Sequence, residues 1–163
     1  MKILVVSDLH RSKTAAMQSA NVAEVEEVDH ILVLGDISHN DFKEATILLE
    51  LIADTKDVYF VPGNMDSKKL LNWANDKIRN IHCKVVHYKN GLEIMGIGGS
   101  TITPFNTMIE FNEDEMMSML YNTSRNLKSK DFILVSHCPP KNTKVDKTNS
   151  GVHIGSQSIR KFI

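Results

Sequence analysis

Four short apolar runs, each broken off at once by polar residues of the same few kinds, constrain this chain more than any other feature. They cover residues 3–6, 31–34, 58–61 and 132–135. Runs this short, rich in β-branched residues and without a polar face, suit strands buried on both sides in an α/β protein. Helical spacing follows each of the first three. Residues 13–27 form the first such stretch, and Phe42, Ala45, Leu48, Leu49 and Ile52 recur behind a capping Asp41 in the second. A third helix is predicted over 67–76, after Pro62-Gly63 stops the third strand. The order β-α-β-α-β-α implies a parallel sheet with helical crossovers.

The second half reads differently. Residues 84–88 and 92–97 are apolar-rich and joined through Asn90-Gly91, a strong hairpin signal. Gly98-Gly99-Ser100 ends the second run, and 101–111 reads as an irregular loop. Asn112 followed by Glu113, Asp114 and Glu115 starts a helix well, with acids at the positive end of its dipole. A long polar loop then covers 137–155, and Ser156 opens a last helix. Ile159, Phe162 and Ile163 give that helix an apolar side that needs something to pack on. The chain therefore reads as truncated at its C-terminus.

Bulk properties narrow the function classes. The 163 residues suffice for one core and are too few for two ordinary domains, so 1–163 is predicted to be a single domain. A net charge of −1 disfavours nucleic acid as a stable partner. The two cysteines, Cys83 and Cys138, lack CxxC spacing, which argues against a disulfide framework and a thiolate zinc site. No apolar stretch approaches the ~18 residues of a membrane span. No signal-peptide pattern follows the N-terminus, so the cytoplasm is the expected compartment.

The strand-ending segments are Ser7-Asp8-Leu9-His10, Gly35-Asp36, Pro62-Gly63-Asn64-Met65-Asp66 and Ser136-His137. The carboxyl ends of strands form the ligand crevice of an open α/β sheet. Asp8, His10, Asp36, Asn64 and His137 are therefore predicted to converge. Oxygen and imidazole donors without thiolates suit divalent manganese, iron, cobalt, nickel or zinc. Five ligands exceed one typical zinc site and suit two metals. A carboxylate can bridge two cations, and the Asp-x-His spacing puts both side chains on one side of an extended segment.

Asp-x-His, Gly-Asp, Gly-Asn-x-Asp and a later His, in that order, resemble the signature of calcineurin-like metallophosphoesterases. The likeness is greatest to small archaeal and bacterial phosphodiesterases with Asp in the third motif, as Asp66 is here. The resemblance implies a four-layer α-β-β-α sandwich, a metallo-dependent phosphatase-like fold. It implies two divalent metal ions: Asp8 and His10 on the first, Asp36 bridging, and Asn64 and His137 on the second. The implied reaction is hydrolysis of a small phosphate ester or phosphodiester by a hydroxide that both metals activate, with Asp36, Asn64 and His137 as catalytic residues.

The family's last motif, Gly-His-x-His, does not occur before residue 163. Each metal is thus expected to lack one imidazole, and the second sheet its C-terminal strands. An uncovered edge predicts either self-association as a homo-oligomer or a marginally stable monomer. Asp66 stands where many relatives carry a histidine that assists the leaving group; it reads either as a helix cap or as a catalytic or substrate contact. Arg11 and His153 are candidates to bind substrate phosphate. His30, His39, His82 and His87 read as structural or surface residues, Cys83 as a strand residue and Cys138 as packing. Met116, Met117, Met119 and Leu120 are expected in the core. The alternative function is a non-catalytic scaffold with the same fold.

Overall fold

Apolar residues repeating with period two decide the layering. The computed structural model, which describes residues 1–88 and 91–163, contains a parallel sheet in the order β1 (Ile3–Val6), β2 (His30–Val33), β3 (Val58–Phe60), β4 (Ile78–Asn80). Its register sets Leu4 opposite Ile31 and Val33 opposite Phe60. In β2, Ile31 and Val33 face one side and Leu32 the other; in β3, Val58 and Phe60 oppose Tyr59. A sheet apolar on both faces needs cover on both.

The first face is covered by α1 (Lys13–Val25) and α2 (Phe42–Ile52), which bring Ala16, Ala23, Ala45, Leu49 and Ile52 onto it. The second face is covered by another sheet. There β5 (Lys84–His87) runs antiparallel to β6 (Glu93–Ile97). After the short pair β7 (Ser100–Thr101) and β8 (Glu110–Phe111) and helix α3 (Glu113–Ser124), β9 (Ile133–Ser136) joins β6 in parallel. Leu32, Tyr59, Val61 and Ile81 meet Ile94 and Val135 between the sheets. The outer face, with Met95 and Ile97, is covered by Met116 and Leu120 of α3 and Ile159 of α4 (Gln157–Phe162). The layers are α-β-β-α, as expected.

Each α-helix among the described residues begins at a side chain that accepts a backbone N–H. Ser12, Asp41, Asn112 and Ser156 take bonds from Ala15, Glu44, Glu115 and Ile159, and Glu115 returns one to Asn112 in a capping box. Met116 and Leu120 are fully buried, and Met119 packs beside them.

Three local expectations are corrected. Over 67–76 there is only a short 3₁₀ helix, Lys68–Asn72, followed by β4. The buried Asn80 is the reason: its Nδ2 donates to the carbonyls of Leu70 (2.6 Å) and Leu71 (2.8 Å), acceptors that a continuing α-helix would use. Val5, in the edge strand β1, is exposed. Cys83 lies in a turn before β5 with φ of 54°, outside any strand. The hairpin expected at Asn90-Gly91 is present as the β5–β6 pair; Asn90 itself lies outside the described residues. No helix among the described residues is long and apolar enough to cross a membrane.

Buried or half-buried carboxylates serve as internal acceptors. Burial alone would raise the pKa of Glu93, Glu110, Glu113 and Asp146, but the donors around them outweigh it. All four are held below their usual range, Glu110 at about 2. A depressed carboxyl stabilises the fold above its unfolded pKa of about 4.3, and that stability is lost as pH falls towards the folded value. Asp66, whose burial pushes its pKa up, works the other way. The urea midpoint is expected to fall between pH 6 and pH 3, and to fall less in Glu110→Gln. A flat midpoint over that range contradicts this balance.

Candidate metal centre

Every candidate ligand follows a strand directly. Asp8 and His10 lie beyond β1, Asp36 beyond β2, Asn64 beyond β3 and His137 beyond β9. The first two loops are laced together: Asp8 N donates to Gly35 O (3.1 Å), His10 N to Asp36 O (2.9 Å) and Arg11 N to Ile37 O (3.0 Å). Asp8, His10, Arg11 and Asp36 all adopt left-handed backbone, with φ of 57°, 44°, 71° and 50°. Such a conformation costs on the order of 1–3 kcal/mol per residue and persists where surrounding structure over-determines it. The third loop packs against the second backbone to backbone. A Cβ at Gly35 would stand 2.3 Å from Gly63 N, and one at Gly63 only 2.2 Å from Asp36 Oδ1.

These loops set the Asp36 carboxylate between two pairs of donors. Its Oδ2 is 3.9 Å from His10 Nε2, which is 3.6 Å from Asp8 Oδ1. Its Oδ1 is 3.5 Å from His137 Nε2, which is 2.9 Å from Asn64 Oδ1. Asp8, His10 and Asp36 each offer one ligand atom within 4.8 Å of the others.

Hydrogen bonds decide which atoms face inward. The Leu34 carbonyl accepts from His137 Nδ1 at 2.7 Å, which leaves Nε2 to face the other candidate ligands. Thr107 Oγ1 donates to Glu110 Oε1 at 2.5 Å, so it can only accept from Asn64 Nδ2, 3.0 Å away. Asn64 Oδ1 is thereby turned towards His137. Asn64 Oδ1 and His137 Nε2 then converge beside the Asp36 carboxylate. The donor set fits a divalent cation.

A family model described as calcineurin-like phosphoesterase matches residues 1–163. The chain belongs to that family. Calcineurin-like phosphoesterases are metal-dependent hydrolases of phosphoesters. A relative in the family is the uncharacterized protein MJ1162 of Methanocaldococcus jannaschii, 39% identical over 168 residues, which cover all of this chain and 73% of the relative. Two crystal structures share the fold. One has a TM-score of 0.78 and 17% identity over 99% of this chain and 78% of the other. The second, TT1561 of Thermus thermophilus, has a TM-score of 0.71 and 16% identity over 96% of this chain and 73% of its own.

Other residues of this calcineurin-like chain lie elsewhere than expected. Asp66 neither caps a helix nor reaches the cleft. It is fully buried, and its oxygens accept from the backbone of Ile37 (2.9 Å), Ser38 (2.8 Å) and Gly63 (2.8 Å). The N-cap of the following 3₁₀ helix is Ser67. Arg11 is turned away from the ligands into an ion pair with Glu44 at 2.7 Å. His153 binds Asp146 through Nδ1 at 2.7 Å and braces its own loop. Cys138 is buried, which pushes its thiol pKa up and suits packing.

Sequence reasoning missed the supports. His39 Nε2 lies 3.0 Å from His10 Nδ1, so a second imidazole orients the first. The Thr107–Glu110 pair orients Asn64 from 43 or more residues away. His39 carried a signal, being three residues past Asp36 on the same loop. Thr107 and Glu110 carried none, because an irregular loop has no periodicity to place them.

The ligands open onto a cleft of about 1050 Å³, whose lining includes Asp8, Asp36, Asn64 and His137.

Proposed function

We propose that residues 1–163 act as one cytoplasmic metallophosphoesterase domain that hydrolyses a small phosphate ester or diester. The observation that carries this reading is Asp36, whose two oxygens face separate donor pairs, Asp8 with His10 and Asn64 with His137. Asp36, with these two pairs, would hold two divalent cations, and manganese, nickel, iron, cobalt or zinc would suit the donors. Such cations supply charge for phosphoryl oxygens and a nucleophilic hydroxide at neutral pH.

The chain's own part is positional. Asp36 and Asn64 are fixed by Met65 N (2.9 Å) and Thr107, and His137 by Leu34, so the reacting phosphorus meets rigid partners. Hydrolysis forms a bond from water oxygen to phosphorus and breaks the bond to the leaving oxygen, which takes up a proton. Asp66 is fully buried and does not line the cleft, so it is not placed to give that proton. Solvent then provides it, so esters with acidic leaving groups are favoured.

Release of p-nitrophenol from bis-p-nitrophenyl phosphate tests the proposal, with manganese, nickel, cobalt and zinc added in turn. Turnover is expected with at least one metal, and removal by chelator and loss of more than about 100-fold in His137→Ala. Absence of turnover with every metal would leave the fold as a scaffold.

A further inference from the structure

The cleft has two walls that the candidate metal chemistry does not use. The segment after β7 contributes Ile102, Pro104 and Phe105; the loop after β9 contributes Val145, Val152 and Ile154. Phe105 is 80% exposed, Val145 75%, Ile102 69%, Ile154 61% and Val152 58%. Burial of side chains this size is worth about 1.5–3 kcal/mol each, so five left bare around one opening form a costly surface. Contiguous exposed apolar surface beside a few polar groups is the usual make-up of a ligand site.

Neither wall is slack. Glu110 Oε1 accepts from Thr103 Oγ1 (2.6 Å), Thr107 Oγ1 (2.5 Å) and Thr107 N (2.9 Å), so one carboxylate gathers the first wall. Asp146 does the same for the second, accepting from Asn142 N (3.0 Å), Thr143 N (2.9 Å), Gly155 N (3.1 Å) and His153. Loops whose polar interiors are satisfied in this way present Phe105 and Val145 outward as fixed features. They are not side chains displaced for want of room in the core.

Side-chain charge disfavours occupants with phosphates beyond the one that metal ions would hold. Lys141 is the sole lysine or arginine among the described residues that line the cleft. One cation suits a single phosphate group. A polyphosphate or a nucleic-acid backbone calls for several.

We propose that the substrate is a small phosphodiester with an apolar substituent, aryl or alkyl, seated between Ile102 and Phe105 on one side and Val145, Val152 and Ile154 on the other. The hydrolytic step rests on the function proposed above; the substituent rests on the walls alone.

The test uses three diesters with a common p-nitrophenolate leaving group and a methyl, phenyl or n-octyl second substituent. With the best metal, kcat/KM is expected to be about tenfold or more higher for the phenyl or octyl ester than for the methyl ester. Phenyl ahead of octyl identifies a flat ring, and the reverse an acyl-like chain. In Phe105→Ala and Val152→Ser the ratio to the methyl ester falls towards one. Equal kcat/KM for all three esters overturns the proposal while leaving hydrolysis intact. If no ester is turned over, calorimetry of diphenyl against dimethyl phosphate still decides. Tighter binding of the former, weakened in Phe105→Ala, supports the apolar subsite, and equal binding refutes it. Phe105 is exposed, so its replacement leaves the core untouched.

Discussion

Asp36→Asn is expected to strip the site of metal while leaving the chain folded. The substitution keeps the shape of the side chain and an oxygen for Met65 N, which donates to Asp36 Oδ1 at 2.9 Å. It removes the negative charge that faces both His10 and His137. Removing one partner from a buried charged set costs about 3–5 kcal/mol, or roughly two to three and a half powers of ten in affinity. Two dications, if held as proposed, would then repel each other without a bridging charge between them. Mass spectrometry of the metal content after buffer exchange measures the outcome. Fewer than two ions per chain, with the circular dichroism spectrum unchanged, is the expected result. Two retained ions would show that Asp36 is not the bridge.

Replacement of Asp66 is expected to damage the fold itself. Among the described residues its carboxylate is the sole partner of three buried backbone N–H groups on two loops. Each buried donor left unsatisfied costs about 1–3 kcal/mol, so Asp66→Ala stands to lose a large share of a typical stability of about 5–15 kcal/mol. Asp66→Asn keeps the oxygen shared by Ile37 and Ser38 but turns an amide N–H₂ towards Gly63 N. Its cost is one lost bond rather than three. Urea unfolding of the three proteins should rank wild type, then Asp66→Asn, then Asp66→Ala. An alanine variant as stable as wild type would mean that water or another side chain satisfies those donors.

The layers were legible because period-two burial is written in residue type. Ile31, Val33, Val58 and Phe60 share one face while Leu32 and Tyr59 share the other, and strand-ending Asp, Asn and His follow at once. Convergence of Asp8, His10, Asp36 and Asn64 followed from parallel strands ending at one edge; His137 joins them from β9 of the second sheet. The failures have a common cause. Residues 67–76 carry helical spacing, but Asn80 takes the carbonyls that would continue the helix, and that contact is a tertiary one. Asp66 looked like a cap because it precedes a polar, helix-like stretch. Its three acceptor bonds reach Ile37, Ser38 and Gly63, and two of those donors lie 28 and 29 residues away. The same holds for Arg11, whose partner Glu44 belongs to α2. Spacing reports what a segment can become by itself, and these residues answer to distant partners.

The hydrogen bond from His137 to Leu34 crosses the seam between the two sheets. Three loops of the first sheet carry Asp8, His10, Asp36 and Asn64, whereas His137 comes from the second. A cation held by both sides binds only when the sheets are docked. Its binding energy is then also docking energy, rising by about 1.4 kcal/mol for each tenfold excess of free metal over the dissociation constant. The supply of metal around the chain would set how long the sandwich stays closed, and with it how often unfolded copies are exposed to proteolysis. The site is in that sense a rivet as well as a reagent.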